Sequence, residues 1–232
     1  MSPTPELSVV IPCYNEEQVL PLLADRLIPV LEATGCTWEV VLVNDGSADG
    51  TWALMQGLRA SDQRFTLIDL SRNFGHQLAI SAGMRHARGE AVVVMDADLQ
   101  DPPEVVHAML ERWREGYDIV HGIRSSRQDD TLFKRVTAAA FYRILQALTS
   151  VPLQADAGDF RLMSRRAVRA LDAMPERARY VRGMVSWLGF RQTGVTFERK
   201  ARAAGVTKYP LRKMLAFAAD PAAEALRHND TV

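Results

Sequence analysis

Long hydrophobic runs are missing from this 232-residue chain. In its second half the longest uncharged stretch, ILQALTSVPLQA (144–155), is broken by polar residues and a proline. It falls short of the ~18 apolar residues that a membrane-spanning helix needs. The start, MSPTPE, has no basic segment followed by an apolar one, so no signal peptide is read there. Cysteine is scarce: Cys13 and Cys36 lack the C-x-x-C spacing, which points to a reduced, cytoplasmic state. G-x-G-x-x-G, G-x-x-x-x-G-K-[ST], H-E-x-x-H and G-x-S-x-G are all absent, which argues against dinucleotide, P-loop, zincin and hydrolase-elbow chemistry. If a nucleotide binds here, a metal and basic side chains must hold its phosphates, not a glycine-rich cradle. No internal repeat or low-complexity segment occurs.

What is present is an ordinary globular composition, 47% apolar and 24% charged, with a net charge of zero. That zero conceals an asymmetry. Residues 1–122 hold 8 Lys and Arg against 18 Asp and Glu, whereas residues 123–232 hold 20 against 10. An acidic half suits a cation; a basic half suits phosphates or an anionic membrane surface. The basic half lacks interleaved aromatics for base stacking, so nucleic acid is not an expected partner.

The first half alternates short apolar runs with segments of helical spacing. LSVVI (7–11), WEVVLV (38–43), FTLIDL (65–70), EAVVVM (90–95) and DIVHG (118–122) read as strands. Val105, Val106, Met109, Leu110 and Trp113 share one helical face. Apolar strands separated by helices imply a parallel sheet covered on both faces, with ligands bound beyond the strands' carboxyl ends. PCYNEE follows the first strand, NDGSADGT the second and DADLQDPPE the fourth, so these polar clusters are expected to meet at one edge. In the second half, helices are expected over about 131–149, 164–173 and 177–188. A strand follows over 194–200, and then the basic loop ARAAGVTKYP.

DADLQDPPE (96–104) gathers four carboxylates. Asp101-Pro-Pro-Glu104 has the pattern of a capping box, with Pro at the first helical position. Asp96 and Asp98, at a strand's end with Ala97 between them, are hard oxygen ligands suited to Mg²⁺ or Mn²⁺. Asp45, at the end of the second strand, is placed to accept from the imide N–H of uracil or guanine. Gly46, Gly50, Ser47 and Asp49 read as turn and cap residues. His76, His86, His107 and His121 show no ligand spacing and read as structural. Arg165, Arg166 and Arg169 read as helix surface.

PCYNEE, VNDGSADGT and DADLQDPPE, in this order and spacing, resemble a family 2 glycosyltransferase with a GT-A fold. With RNFG (72–75), GIRSSR (122–127) and GDFRLMSRR (158–166), the set resembles the polyprenyl-phosphate branch: dolichyl-phosphate mannose synthases and GtrB-like or ArnC-like enzymes. The resemblance spans residues 6–218. It implies an α/β, Rossmann-like, mostly parallel sheet with helices on both faces, plus a helical basic acceptor region. Residues 1–122 would form the nucleotide-sugar half and 123–218 the acceptor half of the same domain, with 219–232 a tail.

The same resemblance implies roles. Pro12, Tyr14, Asn15, Glu16, Asp45, Asp96 and Ala97 would line the nucleoside pocket, while Asp96, Asp98 and Gln100 would hold the metal. Arg124, Arg127, Lys134, Arg161, Arg202 and Lys208 would bind the donor diphosphate or the lipid phosphate. Asp98 and Arg124 would act in catalysis, and Asp159 would orient or deprotonate the acceptor. A phosphate monoester is already anionic near neutral pH, so a strong base is not chemically required. In-line attack would invert the anomeric configuration. Many members of that branch carry two membrane helices after the segment matching LRKML (211–215), where this sequence continues AADPAAEALRHNDTV. A peripheral protein at the inner face of the membrane is therefore expected, docking on the membrane surface or on a separate membrane subunit. A homo-oligomer also stays open. So do two other activities: transfer to a saccharide acceptor, and nucleotide-sugar binding without turnover.

Overall fold

A computed structural model describes residues 4–125, 157–176 and 181–198 of the chain. Its strands are β1 (Leu7–Cys13), β2 (Trp38–Asn44), β3 (Phe65–Asp69), β4 (Ala91–Val94), β5 (Ile119–Arg124), β6 (Ala157–Ser164) and β7 (Gln192–Phe197). Its helices are α1 (Leu20–Ala33), α2 (Thr51–Ser61), α3 (His76–His86), α4 (Val105–Arg114), α5 (Arg165–Asp172) and α6 (Val181–Trp187). The helix expected over 131–149 lies outside the described residues.

β1, β2 and β4 form their strands around runs of Val, Ile and Leu, and each is buried along its whole length. Alternate side chains serve opposite faces. Val9 and Ile11 pack with Leu20, Leu23, Leu27 and Leu31 of α1 and Met109 of α4. Val10, Val41 and Val43 pack with Ile80 and Met84 of α3. Helices α1, α2 and α4 thus cover one face, and α3, α5 and α6 the other.

The sheet runs β3-β2-β1-β4-β6-β5-β7. β1–β2, β2–β3, β1–β4 and β5–β7 pair in parallel. β6, which the sequence pattern did not show as a strand, is antiparallel to both β4 and β5. GDFRLMS reads poorly as a strand because charged Asp159 and Arg161 occupy alternate positions on one face. Both are nevertheless buried, at 6% and 2% exposure. Wedged between two parallel units, β6 brings Asp159 to the carboxyl end of β4.

At the opposite edge, Asp118 ties β5 to β6. Its carboxylate accepts from Ser164 Oγ at 2.8 Å and from Arg166 Nη2 at 2.6 Å. Arg166 is therefore a tether rather than plain helix surface. Arg165 is one too, donating to Gly89 O from Nε at 2.8 Å. The Arg166 hydrogen bonds hold the Asp118 carboxyl below its ordinary value; burial opposes them and Ser164 assists.

Two outcomes are expected. A carboxyl with a depressed folded pKa stabilises above its unfolded value, near ~4, and loses that contribution as pH falls through the folded value. D118N should therefore lower Tm at pH 7, and the gap to wild type should close as the scans move below about pH 4. At Gly83 of α3, an added Cβ would overlap Val10 Cγ1 and lie 3.0 Å from Val43 Cγ2. G83A should cost ~1–3 kcal/mol in urea unfolding, as overpacked cores do.

Candidate active site

The loops after β1 and β2 interlock at the carboxyl edge. Asn15, with φ of 53°, donates its N–H to Ser47 Oγ at 3.0 Å and accepts from Ala48 N at 2.8 Å through Oδ1. Glu16 N donates to Thr51 Oγ1 at 2.7 Å, and Glu17 Oε2 accepts from Gly50 N at 2.8 Å. Asp49 Oδ1 accepts from Thr51 N at 3.0 Å, satisfying a donor of the first turn of α2. Pro12 is buried at the end of β1, and Tyr14 is 37% exposed.

Asp45 holds a third loop against these two. Its Oδ1 and Oδ2 accept from Phe74 N at 2.7 Å and Gly75 N at 3.0 Å. Burial pushes its pKa up; the two backbone hydrogen bonds, His76 and Arg72 oppose that and do not cancel it. Gly46 has φ of +66°, and a Cβ there would collide with the Arg72–Asn73 peptide, so only glycine lets the two loops pass.

The DADLQ turn sets the central carboxylates. Leu99 takes a left-handed φ of 57°, which keeps its side chain in the core at 5% exposure. Asp98, 9% exposed, accepts from Gln100 N at 3.1 Å. Asp96 Oδ1 is buried and has no hydrogen-bond partner. Burial pushes the Asp96 pKa up, His76 opposes it, and the charges of Asp98 and Asp159 add to it.

Capping of the next helix differs from expectation. α4 begins at Val105 with Glu104 as its N-cap and no side-chain capping bond. The Glu104 carboxylate pairs instead with Arg26, at 2.6 Å. Asp101 is drawn below the surface, 1% exposed and 3.7 Å from Arg124 Nη2. Both carboxylates of the expected capping box thus have a cation nearby.

Asp159 is the most heavily engaged group. Gln77 Nε2 donates to it at 3.0 Å, Arg182 Nε and Nη2 at 3.0 Å each, and Arg161 Nη2 at 3.3 Å. His76 Nε2 lies 3.3 Å from Asp159 Oδ2 and equally 3.3 Å from Asp96 Oδ1. Burial would raise the Asp159 pKa, but His76, Arg182 and Arg161 overcome it and hold the carboxyl far below the usual range. The His76 pKa is raised although burial works against it, because Asp159 and Asp96 flank the ring.

Arg161 is corrected as a phosphate ligand. Its side chain is 2% exposed and donates from Nη2 to Gly158 O at 2.9 Å and to Asp159 Oδ1. A phosphate at the edge cannot reach it. Arg124 is 34% exposed, and its guanidinium crosses Gly158, where a Cβ would sit 3.1 Å from Nη2. Arg127, Lys134, Arg202 and Lys208 lie outside the described residues. His76, Gln77 and Arg182 were not read as site residues. SRNFGHQ follows β3 at the same edge as the other polar clusters, so His76 and Gln77 had a signal. Arg182 had none.

The carboxylates suit a hard divalent ion. Asp96 offers an oxygen without a donor, and Asp98 stands two residues away. Among the described residues no three His, Cys, Asp or Glu are arranged as a complete metal cage. Mg²⁺-type sites often use only one or two carboxylates, the rest coming from substrate phosphates and water.

Residues 8–172 match the profile of Glycosyl transferase family 2. The chain belongs to that family. The glycosyltransferase YkcC of Bacillus subtilis (strain 168) is 47% identical over 215 residues, 93% of this chain and 67% of the relative. The bactoprenol glucosyl transferase of Shigella phage SfV is 37% identical over 204 residues, 88% of this chain and 66% of the relative. The chain thus spans about two thirds of the length of these relatives. Among solved structures, glucosyl-3-phosphoglycerate synthase from Mycobacterium tuberculosis, in complex with Mn²⁺, UDP and glucosyl-3-phosphoglycerate, has a TM-score of 0.62 at 22% identity. That match covers 92% of this chain and 76% of the other. A Pyrobaculum calidifontis mannosyltransferase, in complex with GDP-Man and Mn²⁺, has a TM-score of 0.62 at 19% identity, over 97% and 65%. The family 2 glycosyltransferase is an enzyme with the expected GT-A fold.

Removing the Asp45 carboxylate strands two amides. In D45A, hydrogen exchange at Phe74 and Gly75 should accelerate on the order of tenfold or more, while amides of β1 and β2 keep their protection.

Proposed function

We propose that this glycosyltransferase moves a sugar from a UDP- or GDP-linked donor to a polyprenyl phosphate, undecaprenyl or dolichyl, with Mg²⁺ or Mn²⁺ as cofactor. The observation that carries the acceptor class is the 37% identity, across 88% of the chain, to proteins named bactoprenol glucosyl transferase. Neighbours of the same fold that hold Mn²⁺ with UDP or GDP-Man support the donor class and the metal.

Pro12, Tyr14, Asn15, Glu16 and Ala97 would line the nucleoside side. Asp45 would face the base while it fixes the 74–75 backbone, and Asp96 would approach the ribose and the metal. Asp96, Asp98 and Gln100 would hold the ion, which when bound offsets the negative charge of the departing diphosphate. Arg124, set across Gly158 at the end of β5, would donate to phosphate oxygens, a preorganised electrostatic contribution. Arg127, Lys134, Arg202 and Lys208 are proposed for the acceptor phosphate.

Asp159 is poorly suited to taking a proton. A general base works best with a pKa near the operating pH, whereas Asp159 is held far below it by its cationic partners. The acceptor's phosphate oxygen brings its own negative charge to the anomeric carbon. The carboxylate of Asp159 serves instead to fix its neighbours. The net result is one inverting displacement: the glycosidic bond to the nucleoside diphosphate breaks as the bond to the lipid phosphate forms. Among the described residues no helix is long and apolar enough to cross a membrane. Attachment at the inner membrane face, through the membrane surface or a separate membrane subunit, is proposed because the acceptor of this reading is a lipid phosphate.

A panel of UDP- and GDP-sugars with undecaprenyl or dolichyl phosphate, with and without EDTA, tests this. Lipid-linked product should form from one donor class and vanish in EDTA, and D98A should lower kcat by roughly a hundredfold or more. Turnover that survives EDTA would remove the metal from the reading. Turnover only with saccharide acceptors would remove the lipid.

A further inference from the structure

The geometry between Asp96 and Asp159 is unusual for a buried imidazole. His76 Nε2 stands 3.3 Å from an oxygen of each carboxylate. An ordinary N–H···O bond is ~2.7–3.2 Å, so both contacts are long; the ring's hydrogen bond goes to Asp159, and Asp96 keeps only an ion pair with it. Asp96 Oδ1 is buried and accepts no hydrogen bond, although this ring is within ion-pair distance. An orphaned carboxylate oxygen beside a usable donor is costly, and something must hold the donor back.

Asp159 is positioned to do so. It cannot follow the ring, because Gln77, Arg182 and Arg161 anchor it from α3, α6 and β6. The ring is fixed from the other side as well. His76 opens α3 directly after Phe74 and Gly75, whose N–H groups are bound by Asp45. Imidazole and Asp159 are thus pinned to separate supports.

We propose that Asp159 is a positioning residue for the metal site: it holds the His76 imidazole off Asp96, keeping the lone pairs of Asp96 Oδ1 free for a cation. This rests on the metal reading above. It gives Asp159 a function without proton transfer and explains why so many donors converge on one carboxylate. Without Asp159, the ring settles on Asp96 and competes with the metal.

The test is Mn²⁺ titration followed by electron paramagnetic resonance, with UDP or GDP present, on intact protein whose folding is checked by thermal melting. D159A should bind Mn²⁺ at least about tenfold more weakly than wild type, the usual scale of outer-shell effects. D159N keeps an acceptor oxygen for the ring and should bind close to wild type. H76A/D159A has no ring to compete and should recover the affinity of H76A. In metal-free D159A crystals, His76 Nε2 should move to about 2.9 Å from Asp96 Oδ1. Wild-type affinity in D159A, or no recovery in the double variant, overturns the inference while leaving the metal reading intact. No Mn²⁺ binding by wild type overturns both. H76A keeps the other anchors of Asp159 and serves if D159A does not fold. Its binding should stay within about threefold of wild type, and a tenfold loss would mean that the ring supports Asp96.

Discussion

Strands β1, β2 and β4 are buried on both faces, so a charge placed along their central positions would lose its water without gaining a partner. Polar chemistry is thereby forced to the strand ends. Because β1, β2 and β4 run parallel, their carboxyl ends share one edge, and PCYNEE, NDGSADGT and DADLQ meet there. The loops then interlock through Asn15, Ser47, Thr51 and Glu17, and Gly46 lets the 72–75 loop close over them.

Five carboxylates, Asp45, Asp96, Asp98, Asp101 and Asp159, crowd this edge, and their partners differ. Asp45 accepts two backbone N–H groups, Asp101 lies beside Arg124, and Asp159 gathers two arginines, a glutamine and a histidine. Asp96 Oδ1 makes no hydrogen bond and has the His76 ring as its ion-pair partner, 3.3 Å away. Like charges this close cannot all be served by water.

Legibility varied with how local the cause was. The strands β1 to β5 and β7 and the helices α4 and α5 could be read from periodicity, because burial on defined faces writes itself into the spacing of apolar residues. β6 could not, since its alternation places Asp159 and Arg161 on a buried face where the pattern calls for apolar side chains. The local capping pattern of Asp101 and Glu104 gave no hint of their long-range partners, Arg26 on α1 and Arg124 on β5. Arg161 looked like a phosphate ligand by motif, yet its side chain runs inward to Asp159. His76 sat beside a quoted motif but showed no ligand spacing, because its partners lie far along the chain, Asp96 in the turn after β4 and Asp159 on β6.

The order of apolar strands and the polar clusters behind them determined the fold class, the site edge and the family likeness, since each depends on residues near in sequence. Only the tertiary structure decided which charge meets which. It set Asp159 against Arg161, Arg182 and His76, and left Asp96 without a donor, by threading an antiparallel strand between two parallel units. Electrostatic roles depend on distance and burial, and for residues as far apart in sequence as His76 and Asp159 those are properties of the folded sheet rather than of the chain.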